Sequence, residues 1–304
     1  MKQLRLAVTG ASGFCGSAVA RLAAERGAEV VCLGRRPGPV GTHRFWDARS
    51  DGPDLTGIEA VVHLAAAVGD PARTAANERA FRLVNVEAGA RLLDVAAGRP
   101  VVWVSSSSVY APGPRCAVDE DHPMVGQRGA YGRTKAAGDR LAQQAGAVVL
   151  RPHAVYGAGD RHLLPRLRRL VRGRRLLLPG PDVATSLTAV ENLAAACLAA
   201  LHWEPGPYHV TDAEPYRRDE ALRCALSAVT GRDLVVRQLP VGPLRAAAAA
   251  LERVTRRGEP ALSRYGLDLL TSESTYDQTR AFTQGYRPVV VLADHLARLT
   301  RPAS

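Results

Sequence analysis

The chain opens on a nearly continuous apolar stretch, Leu4-Arg5-Leu6-Ala7-Val8, the pattern of a short strand buried on both faces. A glycine-rich segment follows, Thr9 to Gly16, and apolar residues then recur at helical spacing from Ser17 to about Arg26, with Gly27 as the stop signal. Glu29 to Leu33 is a second apolar run. The pattern predicts strand, tight turn, helix, strand. Further along, arginines alternate with leucines at helical spacing from Arg161 to Arg175, which predicts an amphipathic helix with Pro165 in its first turn and its arginines in solvent. Leu187 to Leu193 predicts the start of another helix that packs back on the main body. No apolar run approaches the ~20 residues of a membrane span, and Ala246 to Ala250 is too short and too small for an anchor. There is no internal repeat or low-complexity linker.

Composition narrows the class. At 304 residues the chain can bury a large core, so one main domain with a smaller lobe is expected. Five scattered cysteines, Cys15, Cys32, Cys116, Cys197 and Cys224, form no metal or redox pair by spacing. They point to a reducing compartment, and an N-terminus that begins directly with a strand points to a cytoplasmic protein without a signal peptide. The net charge of +11 raises nucleic-acid binding, but aromatics are only 5% and no nucleic-acid module is visible, so no such partner is expected. No metal site is expected either.

Two groups of residues carry chemistry. Gly10, Gly13 and Gly16 lie where the first strand turns into the first helix, inside a strand-helix-strand unit. That is the context in which glycines admit a pyrophosphate to the backbone at a helix N-terminus. Tyr131 and Lys135 lie four apart, on one face of a helix. Lys2 and Lys135 are the only lysines among 40 basic residues, so a merely positive position would have held arginine. A compact ammonium on a flexible stem lowers a neighbouring phenol and still reaches a hydroxyl, which a planar guanidinium does poorly.

The G-x-x-G-x-x-G spacing together with YxxxK resembles the extended branch of the short-chain dehydrogenase/reductase family. Other segments extend the likeness over nearly the whole chain. Val61 to Ala66 looks like the family's fourth strand and the loop beside the cofactor, Leu83-Val84-Asn85-Val86-Glu87 like its helix asparagine, and Val101 to Tyr110 like its fifth strand with the serine-bearing end. Arg151-Pro152-His153-Ala154-Val155-Tyr156-Gly157 resembles the RPxxVYG segment, Pro205 to Thr211 a late strand and turn, and Gly285-Tyr286-Arg287-Pro288 the GYxP signature. One departure is Val109-Tyr110-Ala111 in place of VYG.

The resemblance implies an α/β fold: a Rossmann-type doubly wound parallel sheet in residues 1–150, completed by parts of 185–215, and a smaller, mainly C-terminal α/β substrate lobe interleaved in 151–304. It assigns Tyr131 as proton donor or acceptor and Lys135 as the group that tunes it and holds the nicotinamide ribose. Ser106 would hydrogen-bond the reacting oxygen, with Ser107 as the alternative, and Asn85 would give structural support. Ser106 stands four residues before Tyr110 and 25 before Tyr131. Cofactor contacts are implied at Gly10, Ser12, Gly13, Phe14, Gly16, Leu64, Ala65, Ala66, Tyr131, Lys135 and Pro152, and substrate contacts at Ser107, His153 and Val155.

The second strand ends in Leu33-Gly34-Arg35-Arg36, with no acid and two arginines, which favours NADP over NAD because a guanidinium holds a 2'-phosphate that a carboxylate would repel. Asp47 falls where family members hold the adenine. Ala154 and Thr185 occupy positions that grip the diphosphate in nucleotide-sugar enzymes, and neither is charged. Ser186 to Asn192 looks more like 3-beta-hydroxysteroid dehydrogenase-like and bacterial ketoreductase members. The expected activity is an NADP-dependent interconversion of a relatively apolar ketone and its secondary alcohol by a homodimer, of the ketoreductase kind. The alternatives are a nucleotide-sugar epimerase or dehydratase with tightly bound NAD, and a non-catalytic NADP-sensing regulator.

Overall fold

The computed structural model describes residues 3–160, 166–255 and 262–299. Seven strands form one parallel sheet: β1 (Arg5–Thr9), β2 (Glu29–Gly34), β3 (Thr42–Phe45), β4 (Ala60–His63), β5 (Val101–Val104), β7 (Val148–Pro152) and β13 (Gly206–Val210), in the order β13-β7-β5-β4-β1-β2-β3. Nearly every residue of β1, β2, β4, β5 and β7 is buried, as a sheet covered on both faces requires. Alternation along β1 divides the core. Leu6 and Val8 face a cluster with Val19, Cys197, Tyr208 and Tyr286, whereas Ala7 faces one with Val31, Leu92, Trp103 and Ala142. Helix α1 (Phe14–Glu25) and the helix Val190–Ala199 cover the first face. The second face carries α2 (Ala75–Arg82), a π-helical turn Leu83–Glu87, α3 (Ala88–Val95) and α4 (Ala130–Gln144).

From β1 the chain runs outward to β2 and β3, then crosses to β4 and proceeds the other way. The switch falls between β1 and β4, so their carboxyl ends open a crevice, where a doubly wound sheet places its ligand. Smaller sheets lie beyond it. Strand β6 (Arg115–Val118) pairs with β16 (Ser274–Tyr276), which pairs with β11 (Ala184–Thr185), and β11 pairs with β14 (Tyr216–Arg217). Strand β8 (Val155–Tyr156) pairs with β12 (Thr188–Ala189).

One expectation changes. Of the amphipathic helix predicted over 161–175, residues 161–165, Pro165 included, lie outside the described residues. The remainder is not a continuous helix: a 3-10 turn at Arg168–Leu170 leads into β9 (Val171–Arg172) and β10 (Arg175–Pro179), an antiparallel pair turning at Gly173 with φ +61°. The leucines that counted as a helical stripe continue in the two-residue period of Leu176 and Leu178, both fully buried against Leu226 and Leu234. Strand β15 (Val235–Leu239) completes that sheet.

Candidate active site

The crevice is built around Thr9. Its Oγ1 accepts the backbone N–H groups of Leu64 and Ala65, each at 3.0 Å, and lies 2.9 Å from His63 Nδ1. This ties the glycine turn to the segment leaving β4. The fit leaves no room for side chains: a Cβ at Gly10, whose φ is +67°, would sit 2.9 Å from Ala65 N, and one at Gly16 would sit 2.2 Å from Gly10 O. Ser12 and Gly13 are exposed, Phe14 is half-buried, and α1 starts after Gly13 with no side-chain cap on its first N–H groups. The turn is thus packed from below and open from above.

At the end of β2, Arg35 and Arg36 are both exposed, and β3 lies alongside in parallel register, Phe45 opposite Gly34. Asp47 is held by Arg49, with 2.7 Å between Nη2 and Oδ2 and 3.1 Å between Nε and Oδ1. Hydrogen bonds from Arg49 keep its carboxyl low, at about 2.

Tyr131 and Lys135 lie one turn apart on α4. The Lys135 ammonium is buried and donates to the Val104 carbonyl at 2.7 Å. Burial lowers it to about 8, against the opposing influence of Asp139 and Cys15. Burial raises the Tyr131 phenol, and hydrogen bonds with Ser106 and Ser108 partly offset the rise. The phenol thus stands above its ordinary value, while the Lys135 ammonium is bonded to Val104. The serines separate. Ser106 Oγ accepts from Ser108 N at 3.2 Å and Ser108 Oγ at 3.0 Å, on the Tyr131 side. Ser107 Oγ turns away to His153 Nδ1 at 2.6 Å. Burial holds His153 neutral, its basicity lowered to about 3. Pro152 ends β7 in a buried position, and Val155 starts β8 half-buried. Asn85, in the π-helical turn, is buried and bonded to Ala67 and Thr134.

Sequence reasoning missed the network under α4. Arg151 and Asp139 form a fully buried pair, with 2.9 Å from Nε to Oδ2 and 2.8 Å from Nη2 to Oδ1. Ser105 donates to Asp139 at 2.5 Å, and Arg151 Nη1 donates to Tyr110 Oη at 2.8 Å, which in turn meets His209 Nε2 at 2.6 Å. Asp139 lies four residues after Lys135, a signal that the helix period offered. A small recess adjoins Tyr131, lined also by Asp70, Ser108, Gln127, Arg128 and Tyr265. Among the described residues no cluster of His, Cys, Asp or Glu could hold a metal ion, and no helix is long and apolar enough to cross a membrane.

Residues 6–210 match the NAD dependent epimerase/dehydratase family. The chain is 29% identical to a 2-alkyl-3-oxoalkanoate reductase of Stenotrophomonas maltophilia over 97% of its length and 98% of that protein. It is 31% identical, over 91% of its length and 90% of the relative, to a 4-hydroxy-2-methyl-3-oxo-4-farnesyl-3,4-dihydroquinoline-1-oxide ketoreductase of Stigmatella aurantiaca. Its fold resembles that of a short-chain dehydrogenase/reductase superfamily protein from Agrobacterium tumefaciens solved with bound NAD, with a TM-score of 0.73, 21% identity, and coverage of 97% of this chain and 96% of that one.

Proposed function

The chain belongs to the NAD dependent epimerase/dehydratase family, within the extended short-chain dehydrogenases/reductases, and on that premise we propose that this NAD(P)-dependent oxidoreductase is an NADP-dependent ketoreductase. The observation that carries the proposal is a Tyr131 phenol hydrogen-bonded with Ser106, one helical turn before the buried Lys135.

The residues fit a dinucleotide. The turn has backbone where a Cβ would clash, and an uncapped helix N-terminus suits a pyrophosphate. Arg35 and Arg36 would hold a 2'-phosphate. Asp47, engaged by Arg49, would reach the adenine only through oxygens it shares with that arginine. Leu64, Ala65 and Ala66 would border the nicotinamide half, and Pro152 its far side. When bound, the cofactor supplies the hydride. Tyr131 delivers the proton to the carbonyl oxygen, Ser106 donates a hydrogen bond to that oxygen, and Lys135 would hold the ribose with its charge beside the phenol. The phenol's raised starting point keeps it protonated at neutral pH, the form that the reducing direction requires. Asn85 acts by holding backbone. Ser107 and His153 shape the substrate wall with Val155.

The relatives' printed activities, reductions of an oxoalkanoate and of an oxo-dihydroquinoline, support a ketone substrate. Ala154, at φ +42°, and Thr185 present no cationic group for a sugar diphosphate, which weighs against the epimerase reading. The cofactor domain would be residues 1–150 completed by parts of 185–215. The enzyme would work as a cytoplasmic homodimer through the helices flanking Asn85 and Tyr131. The test follows NADPH and NADH oxidation against ketones of graded polarity. Alcohol formed in step with NADPH, and faster than with NADH, is expected. If nucleotide sugars were epimerised without net change in cofactor absorbance, the epimerase reading would replace it. If NADPH bound but no carbonyl consumed it, the regulator reading would.

A further inference from the structure

Three residues of α4, each one helical turn after the last, hold the end of β5 and the serines that follow it. Tyr131 is hydrogen-bonded with Ser106. Lys135 donates to the Val104 carbonyl at 2.7 Å. Asp139 accepts from the Ser105 hydroxyl at 2.5 Å. One helix therefore grips three consecutive residues, Val104, Ser105 and Ser106, and only the Tyr131 and Lys135 contacts belong to the chemistry already assigned.

Asp139 does not need Ser105 for charge balance. Its Oδ2 also accepts from Arg151 Nε at 2.9 Å, and its Oδ1 accepts from Arg151 Nη2 at 2.8 Å and from Gln143 Nε2 at 2.6 Å. The guanidinium thus meets both carboxylate oxygens, and the pair is fully buried. Arg151 lies in β7 and is fixed in turn, its Nη1 donating to Glu120 O at 2.7 Å and to Tyr110 Oη at 2.8 Å. The carboxylate is a fixed point inside a satisfied polar network. Ser105, itself buried, is tied to that point by its hydroxyl and to the Leu150 carbonyl by its N–H at 2.7 Å. What this double anchorage fixes is the place from which the next residue, Ser106, reaches Tyr131.

We infer that Asp139 is a positioning residue of the reaction: through Ser105 it sets Ser106 against Tyr131. This rests on the ketoreductase reading and adds a residue that touches neither substrate nor cofactor. The Ser105 hydroxyl carries the effect, so it can be removed while the Arg151–Asp139 pair stays whole.

The experiment follows NADPH-dependent ketone reduction by the wild type, Ser105→Ala, Ser106→Ala and the double variant. Ser105→Ala should melt within a few degrees of the wild type, while kcat falls about tenfold or more with KM for the ketone little changed, the effect of a misplaced reacting group. In the Ser106→Ala background the same substitution should cost at most about twofold, because the residue it positions is gone. Wild-type kcat in Ser105→Ala, a loss carried by KM, or the same loss in both backgrounds overturns the proposal and leaves the ketoreductase reading standing. Should Ser105→Ala fail to fold, Ser105→Cys, of similar size and a weak donor, takes its place. In parallel, NMR of the enzyme with isotope-labelled tyrosine follows the signal that Tyr131→Phe removes. Ser105→Ala should move that signal in the direction that Ser106→Ala does. If the wild type reduces no carbonyl, the ketoreductase reading fails and the NMR signal decides the positioning alone: a signal unmoved by Ser105→Ala overturns it.

Discussion

Asn85 holds both ends of one residue: its Oδ1 accepts the Ala67 N–H at 2.7 Å, and its Nδ2 donates to the Ala67 carbonyl at 3.0 Å. The same Nδ2 reaches Thr134 Oγ1 at 3.0 Å, and Thr134 in turn donates to Ala130 O at 2.7 Å. One side chain thus fixes the segment after β4 to the helix that carries Tyr131. Asn85→Ala leaves these groups without their partner, at a cost of about 1–3 kcal/mol. The melting temperature should fall by several degrees and kcat should fall with it. Unchanged melting and turnover in that variant would show the clasp to be dispensable.

Tyr131→Phe removes the proton donor and leaves the ring. Turnover should drop by roughly 10²-fold or more, the scale of general acid–base catalysis, with NADPH affinity nearly unchanged. The serines discriminate further. Ser106 contacts Tyr131, and Ser107 is held by His153 at 2.6 Å. Ser106→Ala should therefore cost much more in kcat than Ser107→Ala. Equal losses, or a Tyr131→Phe enzyme with substantial turnover, would refute the assigned proton path.

Arg35 and Arg36 are exposed at the carboxyl end of β2. Replacing both by serine should raise KM for NADPH by about tenfold or more, the value of one or two charge-assisted hydrogen bonds, and change KM for NADH little. Parallel weakening toward both cofactors would mean that the arginines meet no 2'-phosphate.

What was legible in the sequence was local. The turn from β1 to α1 follows from glycine spacing between an apolar run and a helical one, and the pairing of Tyr131 with Lys135 follows from the helix period. Long-range geometry was not legible. Arg115 meets Ser274 across 159 residues, and Arg151 meets Tyr110 across 41. Nothing near Arg115 in sequence says that it is buried. The hydrogen bond that draws Ser107 away from Ser106 comes from a histidine 46 residues beyond Ser107. The segment from Arg168 misled because leucines at helical spacing lead into others at strand spacing, and Gly173 divides the two patterns.

Acid should destabilise the fold before it protonates most carboxylates. Burial depresses His63, His153 and His209 to about 3 each, below their ordinary value of 6.5. Between those limits the unfolded chain binds protons that the folded one refuses, so stability falls as pH drops below about 6.5. Glu120 and Asp212 act in the opposite sense, because burial raises their carboxyls above the usual 4.5 and 3.8, favouring the folded state as they protonate. Three histidines titrating from 6.5 downward should dominate the upper part of the window. The melting temperature should decline from pH 7 to pH 5, and His153→Gln, which can still bond Ser107, should flatten the decline. A melting temperature independent of pH over that interval, or an identical slope in the variant, would mean that these imidazoles are not held neutral by the fold.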